Sequence, residues 1–226
     1  MARLVTLAEL RDEARRRADM VGDNGFISDD VLTSWINKSI ATLYDIILTT
    51  EQGEVFQINS PILTQVGDNA YLLRADFYKL VSVHSYIGGE YYRATKGQTD
   101  EFATLRSHPP SEYEPRYFIK FDAATGDKHL QVFPAPNPDY LAVVYIPYAP
   151  VLSDDDDTWD GFNGWEEWVI LDVAIKMLDK EESDSTALRA SKEAEERLIK
   201  AHSAHFDAGM PMTIKRVRHL RRRWPR

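Results

Sequence analysis

The sequence predicts an α+β protein: an antiparallel helical bundle made of two helical hairpins, with a mostly antiparallel β region inserted between them. A basic C-terminal tail, extended or helical, follows the bundle. Apolar residues recur at helical spacing near both ends of the chain, short β-like runs separated by turn residues fill the middle, and the basic residues concentrate at the C-terminus. We therefore expect a bundle from residues 1–50 and 163–209, a β region from residues 51–162, and a docking tail at residues 210–226.

The first helical hairpin is indicated by two helix starts. Thr6 and Glu9 have the spacing of a capping box, and an apolar stripe follows at Leu7, Leu10, Ala14, Ala18 and Val21. After a turn at residues 22–25, Ser28 caps a second helix with acidic residues in its first turn. One side of that helix is apolar at Val31, Leu32, Trp35, Ile36, Ile40, Leu43, Tyr44 and Ile47.

Two hairpins are predicted in the β region. Gly88 and Gly89 separate the β-like residues 81–87 from Tyr91 and Tyr92, which is a two-residue hairpin signal. Residues 124–127 separate the runs 117–121 and 130–133 in the same way. A short helix is expected near residues 99–106, and three prolines (Pro134, Pro136 and Pro138) predict a turn before a strand at residues 140–148.

The helical pattern returns near residue 163. Asn163 and Glu166 fit a capping box, followed by a stripe at Trp165, Trp168, Val169, Ile175 and Leu178. The last helix is expected from residue 185 to residue 208, with Leu188, Ala194, Leu198, Ile199 and Phe206 facing inward, before Gly209 and Pro211 end it.

The amino-acid composition excludes several classes of protein. The chain of 226 residues is 43% hydrophobic, which favours a packed core over disorder. It has no cysteine, which excludes a disulfide scaffold, a thiol nucleophile and a cysteine-based zinc site. The N-terminal residues lack the apolar stretch of a signal peptide, and no run approaches twenty apolar residues. We therefore expect neither export by that route nor a membrane span.

Few residue patterns suggest catalysis or metal binding. Asp156, Thr158, Asp160, Gly161 and Glu167 have the spacing of a calcium loop, but a threonine stands at the third position and no helix precedes it. His202 and His205 lie three residues apart without a third ligand nearby, and His84 and His129 fall in strand-like runs. We expect no catalytic residue, no cofactor and no metal site. Cation binding by residues 154–160, as in a metal-dependent enzyme, remains the lowest-ranked alternative.

The C-terminal tail is basic, whereas the rest of the chain is acidic. The last twelve residues hold seven basic side chains and no acid, in a chain of net charge −9, so residues 1–214 carry about −16. In a helix, Ile214, Val217, Leu220 and Trp224 would form an apolar stripe. A partner-docking segment is the preferred interpretation; a solvated terminus and a nucleic-acid-binding accessory protein are the alternatives. The predicted docking residues are Lys215, Arg216, Val217, Arg218, Leu220, Arg221, Arg222, Arg223 and Trp224.

Several short phrases occur in a recognisable order. Residues 115–119 read PRYFI, residues 130–136 read LQVFPAP, residues 140–152 read YLAVVYIPYAPVL, and WEEW at residues 165–168 opens a helix. From about Thr6 onward, this succession resembles the head-to-tail adaptor (head-completion or connector) proteins of tailed bacteriophages.

The resemblance implies a non-enzymatic structural protein at the head–tail junction of a virion, synthesised in the host cytoplasm. Such proteins form a ring, commonly of twelve copies, beneath the portal vertex after DNA packaging. The ring extends the DNA channel without binding DNA specifically, offers a platform to tail or nozzle proteins and has no membrane partner. Residues 212–226 correspond to the segment that reaches the portal protein. Tyr91, Tyr92 and Tyr113 are expected either to meet ring neighbours or tail proteins or to belong to the core.

Overall fold

The computed structural model describes residues 4–22, 27–49, 58–63, 70–135, 140–161 and 164–203. This part of the chain contains five α-helices, and a short 3₁₀ turn at Thr99–Glu101 leads into the third. The helices are α1 (Leu7–Arg17), α2 (Asp29–Thr49), α3 (Phe102–Ser107), α4 (Glu166–Lys180) and α5 (Thr186–Ser203).

Ten strands within these ranges form three sheets. They are β1 (Leu4–Thr6), β2 (Ile58–Leu63), β3 (Ala70–Leu72), β4 (Phe77–Ile87), β5 (Glu90–Arg93), β6 (Thr95–Lys96), β7 (Arg116–Phe121), β8 (Lys128–Phe133), β9 (Tyr140–Pro147) and β10 (Thr158–Asp160). Strands β1 and β10 form a two-stranded sheet. One four-stranded sheet has the order β2-β9-β4-β5 and the other the order β3-β8-β7-β6. All pairings are antiparallel except that of β6 with β7.

The predicted fold class, a helical bundle interrupted by a β region, is wrong, although the α+β character is compatible with the structure. Strands outnumber helices in the described ranges, and the two four-stranded sheets have a hydrophobic core of their own. A sheet also belongs to the helical part, because Val5 of β1 pairs with Trp159 of β10 and both are buried in the helical core. Strands of three residues are too short to show an alternating pattern, so this sheet was not predicted from the sequence.

Helix α4 is the centre of the helical core. Ten of its fifteen residues are buried, and it contacts α1, α2 and α5. The capping box at the start of α1 is confirmed: the Thr6 hydroxyl accepts from the Glu9 amide at 3.1 Å, and the Glu9 carboxylate accepts from the Thr6 amide at 2.9 Å. At α4, Asn163 lies outside the described residues, and the helix begins at Glu166 without a side-chain cap.

Both predicted hairpins are confirmed. Strands β4 and β5 pair across Gly88 and Gly89, whose φ angles of 58° and 95° lie in the left-handed region that glycine adopts readily. Strands β7 and β8 pair across the turn that contains Gly126. The predicted short helix is also present, as the 3₁₀ turn followed by α3. Strand β9 joins β2 to β4 and contributes Leu141, Val143 and Tyr145 to the β core.

We expect Gly97→Ala to destabilise the β region. A Cβ at this position would overlap Cζ of Phe118, whose ring packs against Phe102 and Phe133. Overpacking of this kind costs about 1–3 kcal/mol of unfolding free energy, measurable by urea denaturation. Phe118→Leu in the Gly97→Ala background should recover part of the loss, since it removes the clashing ring atoms. Equal unfolding midpoints for the wild type and Gly97→Ala would contradict this account.

Candidate functional site

The nine predicted docking residues, Lys215 to Trp224, all lie outside the described residues, which end at Ser203. The structure therefore describes the helix that precedes the tail, and the docking role of the tail residues stays a prediction. That element is α5, and how it is attached to the core decides what the tail is fixed to.

Helix α5 is held to the core by a buried carboxylate on α4. Asp172 accepts hydrogen bonds from Lys192 of α5 at 2.5 Å, from Lys176 of α4 at 2.6 Å and from Ser39 of α2 at 2.6 Å. The Lys192 ammonium also lies 4.5 Å from the ring centroid of buried Trp168. Three helices therefore meet at one carboxylate. This cluster was not predicted from the sequence, although the i, i+4 spacing of Asp172 and Lys176 on one predicted helix is a usable signal.

The Asp172 cluster makes stability depend on pH. Burial opposes ionisation of Asp172, but the hydrogen bonds from Lys176, Lys192 and Ser39 outweigh burial and hold the pKa below its ordinary value. A carboxyl group with a lowered folded-state pKa stabilises the fold above its unfolded pKa of about 3.9, and that contribution is lost as pH falls through the folded pKa.

We expect Asp172→Asn to flatten the acid limb of the stability profile. The wild type should lose unfolding free energy more steeply than the variant below about pH 4, because only the wild type has this carboxylate to protonate. Thermal melting between pH 2 and pH 7 measures the difference. Asp30→Asn, at an exposed aspartate of α2, is the matched control and should leave the acid limb almost unchanged. Parallel profiles for the wild type and Asp172→Asn would contradict this role.

A second attachment lies at the first turn of α5. The Arg189 guanidinium contacts both oxygens of Asp179, at 2.7 and 2.5 Å, and the Ser185 hydroxyl donates to the same carboxylate at 2.9 Å. These bonds, Arg189 first, hold the pKa of Asp179 below its ordinary value. Helix α5 is thus held to the helical core at its start and again at Lys192.

The acidic stretch at residues 154–157 is used for internal bonds. The Asp157 carboxylate accepts from the backbone amides of Ser153 and Asp154 at 2.7 and 2.9 Å, and Asp155 pairs with Arg11 of α1. Thr158 and Asp160, two positions of the calcium pattern, lie in β10. Among the residues that the structure describes, no group of three or more His, Asp or Glu side chains is placed to hold a metal ion.

Two nearly buried arginines on α1 form ion pairs with the start of α2 and with the acidic loop. Arg11 and Arg15 both pair with Asp29 at the start of α2, and Arg11 also holds Asp155. The Arg15 hydrogen bond is the main cause that lowers the pKa of Asp29. These pairs join α1, α2 and the loop before β10, so the acidic loop is fixed to the helical core.

The β4–β5 hairpin presents a cluster of tyrosines. The rings of Tyr86 and Tyr91 lie 5.0 Å apart, and those of Tyr92 and Tyr113 also lie 5.0 Å apart. Tyr91 and Tyr113 are more than half exposed. Of the two alternatives left open by the sequence, core or surface, these two residues therefore lie on the surface. Tyr92 is half-buried, and its hydroxyl donates to Glu90 at 2.9 Å. We call Tyr86, Tyr91, Tyr92 and Tyr113 the tyrosine cluster.

Of the histidines named from the sequence, the structure describes the side chains of His84 and His129, which lie on strands of different sheets. His84 is half-buried in β4 with Nε2 at 3.1 Å from the Ser82 hydroxyl, and burial, aided by the charge of Arg93, lowers its pKa. His129 lies in β8, where Lys120 is its pairing partner. His205 and the side chain of His202 lie outside the described part of the chain.

Comparison with known protein families decides which family the chain belongs to. The sequence matches the family described as SU10 adaptor protein over residues 5–224. The chain belongs to the SU10 adaptor protein family. This is a phage head-to-tail adaptor family, so the resemblance inferred from the sequence is confirmed. A search of curated proteins found no match.

Membership makes this adaptor a structural component of a phage virion. The family match extends to residue 224 and so includes every predicted docking residue of the tail as well as the helical core and both four-stranded sheets. Among the described helices of the adaptor, none has the length and apolar character needed to cross a bilayer.

Proposed function

We propose that this adaptor is a non-enzymatic ring protein of the head–tail junction. It binds the portal protein through Lys215, Arg216, Val217, Arg218, Leu220, Arg221, Arg222, Arg223 and Trp224, extends the DNA channel, and offers a platform to tail or nozzle proteins. The ring has about twelve copies, as is common among such adaptors. The observation that carries the proposal is the concentration of seven basic side chains in the last twelve residues, most of them inside the family match, after a helix that Lys192 holds to the core.

The tail has the chemistry of a docking segment. Arginine guanidinium groups bind carboxylates in a bidentate geometry, and tryptophan is enriched among residues that dominate binding energy. Five arginines and Trp224 occur within nine residues of one another. An acidic surface on the portal protein with an apolar groove is the partner that suits both features.

The negative charge of the chain outside its tail suits a protein that lines a DNA channel. Outside the last twelve residues the chain carries about −16, and like charge discourages DNA from adsorbing as it slides past. A cavity of about 520 Å³ beside the start of α4 illustrates this surface, because Glu9, Glu13 and Glu167 line it and Arg17 is its one cationic side chain among the described residues. Burial and the nearby charge of Glu195 raise the pKa of Glu167, despite its 2.7 Å contact with Arg17.

The tyrosine cluster suits the tail platform. Exposed tyrosines combine a large apolar ring with a hydroxyl group and are common in protein interfaces. The β4–β5 hairpin that carries them lies in the β region, whereas the basic tail follows the helical core. Binding of the portal and of tail proteins is thereby assigned to different parts of the chain.

The test is direct. Purified full-length protein is mixed with its cognate portal ring, and the product is imaged by electron microscopy. We expect an additional ring on the portal, coaxial with its channel. If the portal remains bare at micromolar protein while the protein retards DNA strongly at low salt, the proposal is overturned and the nucleic-acid-binding alternative takes its place.

A further inference from the structure

A groove lies between the two four-stranded sheets. Residues of β4 form one side of it, residues of β6, β7 and β8 form the other, and its volume is about 430 Å³. Leu80, Tyr117 and Ile119 are among the apolar side chains that line it. We call this feature the sheet groove.

Several exposed apolar side chains line the sheet groove. Phe121 is 65% exposed, Ile119 is 43% exposed and Tyr78 is 38% exposed, and all three line the groove. Tyr148, also exposed, lies with its ring 5.2 Å from that of Tyr78 at the groove edge. Scattered exposed apolar residues are ordinary on protein surfaces, but a contiguous group with polar residues around it is typical of an interaction site.

Positive charge surrounds this apolar surface. Lys79, Lys96 and Lys128 line the sheet groove, and within the described part of the chain none of them has a carboxylate within ion-pair distance. Lys128 instead donates to the Phe77 carbonyl at 3.0 Å and to the Tyr148 hydroxyl at 2.7 Å, which fixes its ammonium group at the groove. On the described helices, by comparison, nine basic residues pair with carboxylates: Arg11, Arg15, Arg16, Arg17, Lys176, Arg189, Lys192, Arg197 and Lys200.

Charge decides which partner suits the groove. Each copy of the chain carries a net charge of −9, so two copies repel unless their contact brings positive charge against negative. In the sheet groove, three lysines that form no ion pair with any described residue lie beside exposed apolar side chains, while the acidic surface of a second copy provides the carboxylates. A contact between two different surfaces of identical chains leaves both surfaces free at the ends, and it closes into a ring when the rotation permits.

We propose that the sheet groove is the subunit interface of the ring and receives the acidic surface of a neighbouring copy. Phe121, Ile119 and Tyr78 contribute the apolar contact, and Lys79, Lys96 and Lys128 pair with the neighbour's carboxylates. The proposal rests on the ring assembly proposed above and assigns its interface to the β region.

Site-specific photocrosslinking tests the interface. Because the chain has no cysteine, Phe121→Cys accepts a single benzophenone maleimide in the full-length protein. Val21→Cys, at an exposed apolar residue after α1, is the matched control. Both proteins are irradiated alone at high concentration and after incubation with the portal ring. We expect chain-to-chain products from Phe121→Cys and few from Val21→Cys, and adding Lys79→Glu and Lys96→Glu should lower their yield at least about tenfold.

The outcomes separate this proposal from the portal-binding one. Mass spectrometry should place the crosslinked partner site on an acidic surface of a second copy. Absence of chain-to-chain products from Phe121→Cys in every sample, or equal yields from both cysteine positions, would overturn the interface. Sedimentation with the portal is measured on the same samples before irradiation. Crosslinked copies that fail to sediment with the portal would count against the docking proposal alone.

Discussion

A chain that ends at Met212 is expected to lose addition of the ring to the portal while keeping its fold. The truncation removes all seven basic side chains of the tail together with Trp224, and it leaves α5 with its contacts to Asp172 and Asp179. Removal of several charge-assisted and apolar contacts at once should abolish detectable binding, because single interface residues of these types often contribute about 2 kcal/mol or more. Electron microscopy of portal mixtures and a thermal melt of the free chain provide the two measurements.

Two full-length variants sharpen the test. Replacing Arg216, Arg218, Arg221, Arg222 and Arg223 by lysine keeps the charge but removes bidentate pairing, so it should weaken portal binding without abolishing it. Replacing Arg106, Arg116 and Arg197 by lysine is the matched control outside the tail and should bind as the wild type does. Undiminished ring addition by the chain that ends at Met212 would refute the assignment of docking to the tail.

Trp168→Ala is expected to give the largest loss of stability among single substitutions in the helical core. Trp168 is 1% exposed on α4 and packs where α4 meets the other helices of the core. Its removal leaves a large cavity and takes the aromatic face from beneath Lys192, for a loss of about 3–5 kcal/mol of unfolding free energy. Urea denaturation followed by far-ultraviolet circular dichroism measures it.

Trp168→Phe is the control for volume. It keeps a ring beneath Lys192 and should lose clearly less stability than the alanine variant. Tyr91→Ala, at an exposed ring of the tyrosine cluster, should change the unfolding free energy by about 0.5 kcal/mol or less. A loss of less than about 1 kcal/mol in Trp168→Ala would contradict the central role of this residue.

The helices of this adaptor were readable from the sequence because their signals are local. The capping box at Thr6 gave the start of α1, and the apolar stripe of the second helix gave α2 nearly at its observed bounds. The predicted stripe of the first helix continued to Val21, but α1 ends at Arg17 and Val21 is exposed. The glycine pair at Gly88 and Gly89 placed the β4–β5 hairpin for the same reason, since a two-residue turn determines the pairing of its flanking strands.

What escaped prediction depends on contacts between distant residues. The pairing of β1 with β10 joins Leu4 to Asp160, and no pattern within a three-residue strand signals such a partner. The sheet groove exists because β4 of one sheet lies near β7 of the other, which strand propensities do not determine. The Asp172 cluster likewise requires α2, α4 and α5 to meet. The proposed tail residues stay a prediction because they lie beyond Ser203.

The distribution of the two hydrophobic cores along the chain has a consequence for synthesis. Members of the β core lie between Tyr71 and Tyr145, so their contacts become available while the C-terminal third is still being translated. The helical core joins Val5 to Ile199 and therefore waits for almost the whole chain. Contacts of such long sequence separation form slowly, and domains tend to fold as units in the order of their synthesis. During synthesis the apolar face of α1 is therefore covered only in part, by α2, until α4 emerges from the ribosome.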